Sequence, residues 1–83
     1  MRHRSLSEIA NDVRSDWKPL DREAEPYVTA MERVDPATDR FRTESAIEIL
    51  AKFRWASRLW QGPKAEKIKE EIDQILSSAF RLR

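Results

Sequence analysis

The residues best suited to recognition chemistry lie in one short run of the sequence. Trp55 stands between Arg54 and Ala56, and Arg58 follows three residues later. An exposed tryptophan with arginine neighbours is typical of the anchor of a protein–protein interface. Together with Phe41, the one large apolar residue between 35 and 42, this run predicts a partner-binding surface.

Its proposed members are Phe41, Arg54, Trp55 and Arg58. Trp55 lies off the main apolar stripe of its helix, so it either stands exposed or packs under the segment 35–42. The spacing leaves both interpretations open.

A second set of residues suits nucleic-acid binding. Between Leu50 and Ala65 the cations Lys52, Arg54, Arg58 and Lys64 meet no acid. Residues 1–40 carry seven Lys/Arg and nine Asp/Glu, net −2, whereas residues 41–83 carry nine and six, net +3. The net charge of the whole chain is only +1, which does not favour strong non-specific binding to phosphates. The alternative hypothesis is therefore a small nucleic-acid-binding protein that uses the basic face of its third helix.

Catalytic and metal-binding chemistry lacks the necessary residues. There is no cysteine, the one histidine is His3, and the one glycine is Gly62. These counts exclude thiolate sites, most zinc sites, a Ser-His-Asp triad and Gly-rich phosphate loops. Asp35 and Asp39 share a loop but lack the further oxygen ligands of a calcium site. We expect no enzymatic activity, no cofactor and no metal.

The spacing of apolar residues predicts helices throughout. Eighty-three residues with 40% apolar side chains are enough for one small domain, 1–83. We predict a compact all-α bundle of three or four helices and no β-hairpin. The helices are expected at approximately 6–17, 24–34, 44–60 and 63–80. No apolar run is long enough to span a membrane, and no signal-peptide core is present, so we expect a cytoplasmic protein without membrane contact.

Individual residues give these helices their ends and faces. Ser5 and Glu8 have the spacing of a capping box at the first helix, and Thr43 is the expected cap of the third. Leu59 and Trp60 extend the broad apolar face of the third helix. Lys69 belongs to the mixed polar face of the fourth.

The chain resembles a group of small helical proteins of unknown function that are carried on bacterial prophages, plasmids and integrative elements. The resemblance rests on an ordered set of short elements: Ile9-Ala10, Asp16-Trp17, Pro26-Tyr27, Ala30-Met31, Phe53, Trp60-Gln61-Gly62, Ala65 and Ile68-Lys69. The sequence departs from the group around Arg40–Thr43, where the group tends to show tyrosine and glycine. The resemblance implies an accessory protein of a mobile element, and it transfers no catalytic or binding residue.

These observations favour a non-enzymatic adaptor, regulator or inhibitor that binds a protein of the host or of the element. Self-association is a variant of this hypothesis, because small helical domains often complete their cores by forming homodimers.

Overall fold

Four helices form most of the described chain. The computed structural model describes residues 5–34 and 40–81. Its helices are α1 (Leu6–Asp16), α2 (Glu25–Arg33), α3 (Ala46–Ala56) and α4 (Pro63–Arg81). They pack in chain order, and α4 also contacts α1. The protein is therefore the small all-α bundle that its periodicity predicts, with four helices. No helix in the described ranges is both long and apolar enough to cross a membrane.

Capping boxes begin α1 and α3. At α1 the Ser5 hydroxyl accepts the Glu8 N–H (3.3 Å between Oγ and N), and the Glu8 carboxylate accepts the Ser5 N–H (2.9 Å). Ser45 and Glu48 make the same pair of bonds at α3, at 3.2 and 3.1 Å. The prediction for α1 is confirmed. The prediction that Thr43 caps the third helix is wrong, because Ser45 is the residue with a glutamate three positions later.

A short β-hairpin precedes α3. Strands β1 (Arg40–Phe41) and β2 (Glu44–Ser45) pair antiparallel, with Phe41 opposite Glu44. The prediction that the chain has no hairpin is wrong. The two-residue turn of this hairpin, Arg42-Thr43, contains neither glycine nor asparagine, which are the usual sequence signals of a tight hairpin turn. Instead Arg42 adopts a φ of 58°, in a region that glycine enters more easily than arginine.

The core is built from the apolar faces of all four helices, with α3 in contact with both α2 and α4. Phe53 and Leu50 of α3 are fully buried. This position explains the broad apolar face of the third helix in the sequence. The buried cluster comprises Ile9, Ala10, Val13, Ala24, Val28, Ala30, Met31, Ile49, Leu50, Phe53, Ala56, Trp60, Ala65, Ile68, Ile72 and Ile75.

The end of α3 differs from the predicted helix 44–60. α3 ends at Ala56, and a 3-10 turn covers Ser57–Leu59. Trp60 is 2% exposed, whereas Leu59 is 58% exposed. The expectation that Leu59 belongs to the core is wrong, because six residues of helical spacing place it about 120° from Phe53, at the margin of the apolar face.

Trp60 lies at the centre of a cluster that joins three elements. Its ring stacks on Trp17 with a centroid distance of 5.5 Å and an interplanar angle of 4°. Its indole N–H donates to Asp16 (3.0 Å between Nε1 and Oδ2). The Lys69 ammonium donates to the Trp60 carbonyl, and Lys69 is 8% exposed. Lys69 is thus buried, contrary to its expected place on the polar face, and its charge is met by the Trp60 carbonyl and by the Glu66 carboxylate (3.8 Å between Nζ and Oε2).

Arg14 connects α1 to α2. Its guanidinium donates to Glu32 (2.7 Å between Nε and Oε2), to Glu25 (3.2 Å between Nη1 and Oε2) and to the Thr29 hydroxyl. Hydrogen bonds to Glu32 and Glu25 raise the pKa of Arg14 above its ordinary value. The hydrogen bond from Arg14, and a second from the Thr29 hydroxyl, lower the pKa of Glu25. The network favours the charged forms and holds the two helices side by side.

Candidate protein-binding surface

Trp55 lies on the solvent side of α3, near its C-terminal end. The residue is 60% exposed, although α3 also supplies the centre of the core. The sequence leaves two interpretations of Trp55 open, and the structure shows the first: the side chain stands exposed. A tryptophan in this state keeps most of its ring available for contact with another molecule.

Arg58 determines how the Trp55 ring is presented. Its guanidinium carbon lies 3.7 Å from the centroid of the Trp55 ring. The same guanidinium donates to the Trp55 carbonyl (3.3 Å) and forms an ion pair with Glu23 (3.2 Å between Nη2 and Oε2). At an exposed site a cation–π contact contributes about 0.5–1 kcal/mol. Arg58 therefore covers one face of the indole and restricts its motion.

Leu59 adds a second large apolar side chain to this surface. Trp55 and Leu59 are the large apolar residues that stand exposed in the described part of the chain. They are one helical turn apart in sequence. We call Trp55, Arg58 and Leu59 the Trp55–Leu59 patch. The sequence analysis missed Leu59 because it counted this residue, which lies at the margin of the broad apolar stripe, as part of the core.

Arg54 has a different structural role from the patch. It is half-buried and pairs with Asp73 of α4, at 2.8 Å between Nε and Oδ1 and 3.3 Å between Nη2 and Oδ2. This two-pronged ion pair connects α3 to α4. The Arg54 guanidinium is therefore already paired within the protein.

Phe41 is not brought together with Trp55. It is half-buried in β1, packs against the core and lies under the Arg42 guanidinium, 5.3 Å from its ring centroid. The hairpin joins α3 at Ser45, and Trp55 comes ten residues later. At 1.5 Å per residue the two sites are separated by about 15 Å along the helix. The sequence-predicted surface thus divides into two regions at opposite ends of α3.

The four cations of the nucleic-acid hypothesis do not share one face. Lys52 pairs with Glu44, which raises the pKa of Lys52, while Arg54 and Arg58 pair with Asp73 and Glu23. On a helix, positions 52 and 54 project about 160° apart. Lys64 lies on another element, at the start of α4. Three of the four cations are therefore paired with carboxylates, and the four positions form no continuous basic groove.

Lys64 lines a shallow groove of about 320 Å³ between α1 and α4. Its other lining residues are Asp12, Lys67, Ile68 and Glu71. Within residues 5–34 and 40–81, no three His, Asp or Glu side chains gather as a metal site requires. His3, Asp35 and Asp39, which the sequence analysis weighed as ligands, lie outside the described residues.

Comparison with known proteins gives no match. No protein-family model matches the chain, and neither a curated protein nor a solved structure is significantly similar to it.

Proposed function

We propose that this chain is a non-enzymatic accessory protein that binds another protein through the Trp55–Leu59 patch. The observation that carries the proposal is the exposure of two large apolar side chains, 60% and 58%, one turn apart on a bundle whose other large apolar side chains pack inward in the described residues. Exposed apolar side chains that lie together mark interaction sites more often than single ones do.

The area of the patch supports a particular kind of partner. Burying the exposed parts of Trp55 and Leu59 contributes about 3 kcal/mol. That is about a hundredfold in affinity. A stable interface normally buries about 800 Å² on each partner, far more than these two side chains offer. Patch-to-patch association of two copies is therefore weak, and the proposed partner is a protein with an apolar pocket that encloses both side chains.

The proposed setting is the bacterial cytoplasm and a mobile genetic element, on the strength of the resemblance described above. Several residues that carry the resemblance, Asp16, Trp17, Trp60 and Lys69, meet in the tryptophan cluster. None of the three patch residues carries it. In this proposal, proteins of the group share the scaffold, while the patch selects an individual partner, which the protein adapts, regulates or inhibits.

The test compares the wild-type chain with Trp55→Ser/Leu59→Ser in capture from nuclease-treated lysate, followed by calorimetry with the purified captured protein. Glu70→Ser/Gln74→Ser, which changes two exposed residues of α4, is the matched control. We expect the patch variant to lose about a hundredfold in affinity and the control to bind like the wild type. Circular dichroism checks that each variant is folded.

Three results would contradict the proposal. The patch variant could bind its partner as tightly as the wild type. The captured material could be nucleic acid that disappears after nuclease treatment, with an affinity that falls linearly with salt on a log–log plot. Sedimentation of the pure protein could instead show a tight homodimer that the patch variant abolishes, which would make the second copy the partner.

A further inference from the structure

The Arg58 guanidinium connects the Trp55–Leu59 patch to the turn that precedes α2. Its central carbon lies 3.7 Å from the centroid of the Trp55 ring, which is van der Waals contact. The same group donates to the Trp55 carbonyl (3.3 Å) and to the Glu23 carboxylate (3.2 Å). The indole is therefore linked, through one arginine, to a residue 35 positions before that arginine in the chain.

The backbone around Glu23 is held by its neighbours. The Glu23 N–H donates to the Asp21 carboxylate (2.8 Å between N and Oδ1). The Asp21 carbonyl accepts the N–H groups of Ala24 and Glu25, at 3.0 and 3.1 Å. An aspartate that bonds the backbone two residues later stabilises a turn, and Ala24, the next residue after Glu23, is fully buried. Glu23 thus presents its carboxylate from an anchored turn.

Arg58 also lies on an anchored segment. Its neighbour Ser57 is fully buried, and the Ser57 hydroxyl donates to the Arg54 carbonyl (2.7 Å). Trp60, two residues after Arg58, is buried in the stacked tryptophan pair. With both backbone segments held, the guanidinium leaves the Trp55 ring only by rotation of its side chain, and that rotation breaks its bond to Glu23.

We propose that Glu23 is a positioning residue of the Trp55–Leu59 patch. It holds Arg58 on one face of the indole and so determines which face a partner meets. This inference rests on the proposed function. Trp55 is 60% exposed although Arg58 covers one face, so the available area lies on the opposite face and the ring edges. The pocket of the partner then contacts that open face, and the guanidinium stays on the ring when the complex forms.

The expected benefit lies in affinity and not in stability. The side chains of Glu23 and Arg58 are 51% and 41% accessible, and ion pairs at such positions add little to folding stability. A freely rotating side chain that has to be immobilised on binding, by contrast, lowers affinity about two- to tenfold. A glutamate that served only as a surface ion-pair partner would change neither the motion of the indole nor the affinity.

The first test uses NMR on the free, ¹⁵N-labelled full chain. The ring current of the indole shifts the Arg58 side-chain protons upfield, and the heteronuclear NOE of the Trp55 indole N–H reports the motion of the ring. In Glu23→Gln we expect the Arg58 shifts to move toward those of an unfolded peptide and the NOE to fall, with little change in Tm. Glu70→Gln makes the same change at an exposed position of α4 and should leave both signals unchanged.

The second test is calorimetry with the protein that the wild-type patch captures. Glu23→Gln should bind it about two- to tenfold more weakly, and Glu70→Gln should bind it like the wild type. The charge-exchanged variant Glu23→Arg/Arg58→Glu restores an ion pair but brings a carboxylate to the negative face of the indole. We expect it to keep the weaker affinity.

Three results would overturn the proposal. Unchanged Arg58 shifts and an unchanged NOE in Glu23→Gln would show that Arg58 stays on the ring without Glu23. Wild-type affinity of the same variant would show that binding does not need the ring to be held. Full affinity of the charge-exchanged variant would show that only the ion pair matters. The NMR test needs no partner, so it can fail while the proposed function holds, and a patch that binds no protein contradicts the proposed function whatever the NMR result.

Discussion

The Arg14 network between α1 and α2 gives a prediction whose size and pH dependence both follow from its geometry. Replacing Arg14 with methionine keeps the apolar stem and removes the guanidinium that binds Glu25 and Glu32. Both glutamates lie on α2, so the variant also leaves two like charges on one helix without a shared cation.

The magnitude is modest because the network is partly exposed. The side chains of Arg14, Glu25 and Glu32 are 37%, 49% and 36% accessible. Exposed ion pairs contribute about 0.2–1 kcal/mol each, so two pairs that share one arginine give about 0.4–2 kcal/mol. In a domain of this size each kcal/mol changes Tm by roughly 4–8 °C.

The pH dependence has a definite sign. Because the pKa of Glu25 is lowered in the folded protein, its contribution to stability is fully present above the unfolded pKa of about 4.3. The contribution is lost as the pH falls through the folded pKa. The raised pKa of Arg14 has no effect on this slope, because arginine stays protonated in both states across the accessible pH range. The wild type and Arg14→Met should therefore differ most near neutral pH and converge in acid.

Urea unfolding followed by circular dichroism, repeated between acidic and neutral pH, measures both effects. Arg22→Met is the control, since Arg22 is exposed and forms no ion pair with a described residue. We expect this control to keep the wild-type pH profile. If Arg14→Met keeps the wild-type profile too, the network does not stabilise the fold and the reasoning from its distances is wrong.

Two further predictions concern the tryptophan cluster and the hairpin. Trp60→Phe should destabilise the fold by about 2 kcal/mol, because it removes the bond to the Asp16 carboxylate and part of a buried ring. Trp17→Phe should cost less when both variants are compared by urea unfolding, and an equal loss would argue against the hydrogen bond. Arg42→Gly should stabilise the protein by about 1 kcal/mol because glycine tolerates positive φ, and lower stability would show that stacking on Phe41 outweighs the strain.

Local sequence signals predict the helices well where the spacing of a few residues determines the structure. The Ser5–Glu8 spacing identifies the start of α1, and the broad apolar stripe identifies α3 as the central helix. The hairpin is missed because its turn has no glycine, and its conformation depends on an arginine held at an unfavourable φ. Such a turn is determined by the elements on both sides of it.

The candidate site is predicted only in part, for a physical reason. The sequence selects Trp55 and Arg58, which the structure brings together. It assigns Leu59 to the core, because the apolar stripe of α3 is broad and Leu59 lies at its margin, about 120° from Phe53. The ion pairs that bind Arg54 and Arg58 join residues 19 and 35 positions apart, so local charge patterns do not show them.

The three tryptophans also provide two separate optical signals. Trp17 and Trp60 stack in parallel within the fold, and their coupled transitions give a signal in near-ultraviolet circular dichroism. This signal disappears when the segment that carries Trp60 separates from α1 and α4. Trp55 is open to solvent, so a dissolved quencher such as acrylamide reaches its fluorescence first. A partner that covers Trp55 shields that emission and leaves the stacked pair unchanged. Occupancy of the surface and integrity of the bundle can thus be followed in the same sample without attaching a dye.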